Sequence, residues 1–252
     1  MQKKLHRLYW LCFTIGISAC GQNVQDNNYK PSNQEAEINL KLGVEYMKIG
    51  KNEIALNKLK NALQLDNNYA DAHNAIGVLY GRLQLDDKSR QHYQKALALK
   101  PKGSDIHNNY GQFLCKQKQW KEAEKHFLKA LDNPVYRSPE IPLTNAGLCL
   151  RENDSTKAED YLRQALQKNS KFPRALFQIA DLSFEKKRYL QARQYLQRYM
   201  EIAKHTPQTL RLGISIERAL NNRTAAANYM LLLRRDFPDT SETQSLNKLE
   251  RR

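Results

Sequence analysis

Three glycines, Gly43, Gly77 and Gly111, stand 34 residues apart, and the chain around them repeats in the same phase. Tyr46 falls on Tyr80, Tyr93 on Phe127, and Ala62 on Ala96 and then Ala130. Within each period the apolar residues recur at helical spacing. A fixed period of this length marks a stack of small units, each burying one face against the next. Glycine and alanine at matching places let two helices of a unit approach closely. No stretch of any length alternates as a half-buried strand would, so the chain is expected to be all-α.

A helix–turn–helix period of 34 residues resembles the tetratricopeptide repeat. The phase gives six repeats, at 36–69, 70–103, 104–137, 138–172, 173–206 and 207–240. The resemblance implies a right-handed α-solenoid spanning 36–240 as one domain. Pro134, Pro139 and Pro142 crowd the junction before repeat four, and Gly147 follows Gly111 by 36 residues, which reads as a longer turn. The inner turn of repeat four is one residue short. Residues 241–252, with Leu246 and Leu249 among charges, are expected to form a capping helix over repeat six.

The first 19 residues read as a bacterial secretion signal. Lys3, Lys4 and Arg7 precede an apolar run from Leu8 to Ser18 that is too short to span a bilayer. Ile17-Ser18-Ala19-Cys20 resembles a lipoprotein lipobox, which implies cleavage before Cys20 and acylation of that residue. The alternative is an ordinary signal with a chance cysteine. Three acyl chains exceed what stable anchoring needs. Gly21 and Gln22 follow without an aspartate at the second position, which by resemblance points to the outer membrane. Residues 20–35 carry the lipid site and an Asn/Gln-rich flexible tether.

Loss of the signal takes the formal charge from +15 to +12. A basic chain could meet nucleic acid, anionic lipid or an acidic protein. Export and the lack of a base-reading motif argue against nucleic acid. Much of the charge also suits solvated helix faces and helix C-termini. Of the four cysteines, Cys12 would leave with the signal and Cys20 would carry lipid. Cys115 and Cys149 remain, late in the first helices of repeats three and four. An oxidising compartment permits a disulfide between them, and two buried free thiols are the alternative.

No phosphate loop, dinucleotide fingerprint, nucleophile elbow or zinc-protease motif is present, and no carboxylate pair is marked out as acid and base. His73 and His107 are one repeat position used twice, as are His92 and His126, which suits packing residues better than metal ligands. No catalytic activity, metal, cofactor or small-molecule substrate is expected. What remains is a binding surface. In tetratricopeptide proteins one face of each first helix lines a concave groove. Here that face holds Leu40, Val44 and Met47, then Asn74, Val78 and Gly81, then Asn108, Gln112 and Cys115. Leu40 and Val44 stand where a carboxylate clamp would need Lys and Asn. An apolar groove mouth suits an amphipathic helix or an extended apolar peptide, unless the chain's own tether covers it.

A lipobox, a polar tether and six such repeats resemble the type IV pilus pilotin family (PilF/PilW). Asn108-Asn-Tyr-Gly-Gln-Phe-Leu-Cys115, Asn145-Ala-Gly-Leu-Cys149 and Leu212-Gly-Ile214 with Thr224-Ala-Ala226 are similar to motifs of that family. The resemblance implies an outer-membrane lipoprotein that binds the pilus secretin subunit and promotes its localisation, its ring assembly or pilus stability. A general periplasmic lipoprotein adaptor for proteases or cell-wall enzymes is the other reading, since the fold serves many partners.

Overall fold

The computed structural model describes residues 33–250. The signal segment, Cys20 and nearly all of the tether lie outside the described residues. Thirteen helices follow one another, and the described residues contain no strand. They are α1 (Gln34–Lys48), α2 (Asn52–Leu65), α3 (Ala70–Arg82), α4 (Asp86–Leu99), α5 (Ser104–Lys116), α6 (Trp120–Lys129) and α7 (Glu140–Leu150). After them come α8 (Ser155–Lys168), α9 (Pro173–Glu185), α10 (Tyr189–Met200), α11 (Pro207–Ala219), α12 (Arg223–Asp236) and α13 (Ser241–Glu250).

Each odd helix pairs with the even helix after it, from α1 with α2 to α11 with α12. The periodic glycines set this pairing. A Cβ on Gly111 would lie 2.8 Å from the buried Phe127 ring, and one on Gly43 would lie 2.6 Å from Leu59. Hydrogen in place of a side chain therefore fixes how closely the two helices of a unit sit. The all-α reading and the solenoid of helix hairpins both hold.

The turns inside the hairpins share one backbone device. Gly50, Gln84, Lys118, Lys187 and Asn221 all adopt positive φ, near 57–75°. This left-handed residue ends the first helix and turns the chain into the second. Repeat four lacks it among the described residues. Its shorter turn instead folds the amides of Asn153 and Asp154 back onto the Leu150 carbonyl. The Asp154 carboxylate then caps α8 by accepting from the amides of Thr156 and Lys157. This is the one-residue shortening expected in repeat four, whereas the 36-residue spacing from Gly111 to Gly147 arises in the longer junction between α6 and α7.

The core runs along the stack. Its largest cluster spans the middle, with Phe127, Leu143, Leu162, Leu176 and Ile179 fully buried. The C-terminal end is closed by α13, whose Leu246 packs with Leu210, Ile214 and Leu233. The N-terminal end is open among the described residues. Ile38 and Leu42 are 49% and 40% exposed, whereas their counterparts one repeat on, Ala72 and Ile76, are buried against the preceding unit.

Candidate functional site

Successive odd helices pack directly on one another, α1 on α3 and so on to α9 on α11, while the even helices make their main contacts with odd ones. The odd helices therefore line the inside of the curve. That places the expected groove positions on the concave side, but crowding there changes what several of them do.

Met47 is only 6% exposed and packs with Ala75, Ile76 and Leu79 of α3, so it is a core residue. Leu40 and Val44 are half-buried against the same cluster. The expected groove-lining face of α1 is therefore partly core: neighbouring odd helices sit close enough to bury Met47 and to half-cover Leu40 and Val44. Asn108 is also buried, and its Oδ1 accepts from Asn145 Nδ2 at 2.8 Å. Asn74 Oδ1 accepts from Asn109 Nδ2 at 3.2 Å. These amides tie α3 to α5 and α5 to α7, rather than standing free for a ligand as expected. A buried amide is retained when a partner meets it, and here the next helix supplies one.

Cys115 of α5 and Cys149 of α7 are joined in a disulfide with Cα atoms 5.7 Å apart, a separation such bonds normally span. The bond clasps the third and fourth units on the concave side, across the proline-rich junction. The histidine pairs lie elsewhere, inside the hairpins. His73 and His107 are buried at the hairpin interface. Each offers Nε2 to a main-chain carbonyl, of Asn67 and Pro101 respectively, and meets its partner's ring through Nδ1.

Two expected groove residues, Val78 and Gln112, do border open space. They line a cavity of about 280 Å³ between α3 and α5. Tyr93 and Phe113 form its aromatic wall, and Gly81 keeps it open: a Cβ there would stand 3.4 Å from Phe113. Arg82 and Lys116, the last residues of α3 and α5, also line it. In the sequence, basic residues at helix C-termini suit the helix dipole, and neither Arg82 nor Lys116 stands out as a site residue. Their 34-residue spacing, which continues back to Lys48, was the signal that could have marked them. Lys48 pairs with Glu45, but Arg82 and Lys116 form no ion pair among the described residues. Arg82 Nη1 donates to the Met47 carbonyl at 3.1 Å, which closes the end of α1 and orients the guanidinium. Farther along, Arg151 is held by Asp181 at 2.8 Å and by Glu185. The groove thus passes from apolar, through amide and cationic, to a charged cluster in which Arg151 is paired with two carboxylates.

Models of the tetratricopeptide repeat match residues 43–84, 70–102, 92–125 and 150–212. The type IV pilus assembly protein PilF of Pseudomonas aeruginosa is 31% identical over 101 residues, a match spanning 40% of each protein. The solved structure of Pseudomonas aeruginosa PilF superposes with a TM-score of 0.72 at 30% identity, covering 85% of this chain and 97% of that one. PilW, described as a widely conserved type IV pilus biogenesis factor, superposes with a TM-score of 0.76 at 31% identity, covering 85% and 99%. Similarity of this extent covers nearly the whole of both solved chains and not merely the repeat as a type. The chain belongs to the tetratricopeptide-repeat family of type IV pilus biogenesis proteins that includes PilF and PilW.

Proposed function

We propose that this protein is a lipid-anchored adaptor of the outer membrane that holds the pilus secretin subunit in its concave groove and promotes its localisation and ring assembly. The observation that carries this reading is the similarity to PilF and PilW across nearly their whole lengths. The lipobox at Cys20 supports the anchor. An acylated Cys20 would keep the first repeat within about 45 Å of the membrane, the reach of a dozen or so extended residues. A secretin subunit must insert in that zone. Burying a few half-exposed apolar side chains at roughly 1.5–3 kcal/mol each suits a transient, chaperone-like contact after ordering costs are met.

The test is a Cys20→Ser variant expressed in place of the wild-type chain. Fatty-acid label should vanish from the protein, the protein should leave the outer-membrane fraction, and heat-resistant secretin rings should become scarce there. Rings at wild-type level in a strain lacking the protein altogether would rule the reading out.

A further inference from the structure

The cavity between α3 and α5 has a composition that a purely apolar peptide site does not need. Arg82 and Lys116 flank it, neither of them engaged by a carboxylate among the described residues. Both side chains are exposed and solvated, and an anion in the cavity would be attracted by two like charges at once. Tyr93 adds a third donor. It is 3% exposed, it lines the cavity, and its hydroxyl makes no hydrogen bond among the described residues. Burial holds that phenol in its neutral form, with the nearby Arg82 charge pulling the other way, so it is an O–H donor at any physiological pH. The buried side-chain atoms without a partner lie elsewhere among the described residues, so the phenol oxygen reaches solvent through the cavity, and an acceptor seated there would take the place of water. Gln112 completes the rim with a side-chain amide that is likewise unengaged.

These donor-bearing residues line one cavity, with Val78 and Phe113 beside them as apolar walls. The groove continues past the cavity on both sides, to Leu40 and Val44 one way and to Arg151 the other. A chain passing through can offer a side chain here more readily than its terminus. We propose that this cavity is a subsite for a glutamate or aspartate side chain of an extended, otherwise apolar segment of the partner protein. The cations Arg82 and Lys116 receive the carboxylate and the Tyr93 hydroxyl donates to it. These residues close their helices' C-terminal ends in the second and third repeats, so the site is separate from the clamp positions occupied by Leu40 and Val44. The proposal rests on the groove being the partner's seat.

Two fluorescein-labelled nonapeptides test it, identical in sequence except for glutamate or glutamine between two central leucines, titrated by anisotropy against the purified lipidated protein in detergent. The glutamate peptide should bind about tenfold more tightly, the difference a charge-assisted hydrogen bond makes. Lys116→Gln and Tyr93→Phe should each erase most of that preference. Lys118→Gln, which removes the same charge outside the cavity, should leave it intact. Equal binding of the two peptides, absence of binding, or an equal effect of Lys118→Gln would overturn the proposal. Co-purification of the secretin separates the two levels: if it survives with wild-type protein while the peptides are not discriminated, the adaptor reading stands and only the subsite falls.

Discussion

His107 Nδ1 and His126 Nδ1 lie 2.9 Å apart across the α5–α6 hairpin, and His73 and His92 repeat the arrangement at 3.1 Å across α3–α4. A carbonyl can only accept, so Nε2 of His73 and His107 carries the hydrogen and Nδ1 is left as acceptor. The partner ring then donates through Nδ1. The accepting ring, His73 or His107, must be neutral for the pair as it stands, and each of the four rings is held toward its neutral form by burial.

This predicts a stability that depends on pH. Burial first, then the partner histidine, and then neighbouring lysines (Lys60 for His92, Lys129 and Lys125 for His126) lower both outer rings to about 4 from an ordinary 6.5. Burial lowers His73 and His107 as well. The folded pKa values lie below the unfolded ones, so the unfolded chain binds more protons as pH falls below about 6.5. The melting temperature should be level near pH 7–8 and fall between about 6.5 and 4. Replacing His92 and His126 with Gln should flatten that decline; an unchanged slope would contradict it. Glu159 titrates lower still. Burial pushes it up, but Lys186, Arg163 and Arg188 outweigh burial and hold it at about 2, so its contribution is lost only on descent from the ordinary 4.5.

Gly111→Ala should destabilise the centre of the stack. The new methyl would meet the Phe127 ring at 2.8 Å, and Phe127 is fully buried with no room to swing away. Overpacking of this kind costs about 1–3 kcal/mol. Chemical denaturation of wild type and variant measures it, and a loss under half a kilocalorie would mean that α5 and α6 can part freely.

The Cys115–Cys149 bond closes a loop between residues 34 apart. The chain-entropy model gives about 3–4 kcal/mol for that closure. Protein isolated and denatured without reductant should show no thiol at these two positions. Reduction should then lower the denaturation midpoint. Two reactive thiols before reduction would contradict the bond.

The period of Gly43, Gly77 and Gly111 made the fold legible because a repeat enforces the same close contact at each turn of the stack. The concave face was less so. Position alone assigned Met47, Asn74 and Asn108 to the groove surface. It could not show that α1, α3, α5 and α7 crowd together until Met47 enters the core and the asparagines bond to the next helix. Arg82 and Lys116 repeat visibly, yet a basic residue at a helix end has an ordinary use. Only the cavity between them, and the unengaged Tyr93 hydroxyl, set them apart.

The proposed function requires that the concave groove, and not the outer face, hold the secretin subunit. A photo-crosslinking amino acid placed at Gln112, on the groove between α3 and α5, tests it in cells assembling pili. The same residue placed at the exposed Gln94 of α4 is the control. Irradiation should yield a product from position 112 that contains both this protein and the secretin subunit, and none from position 94. Secretin captured from 94 with none from 112, in protein that folds and localises normally, would contradict the account.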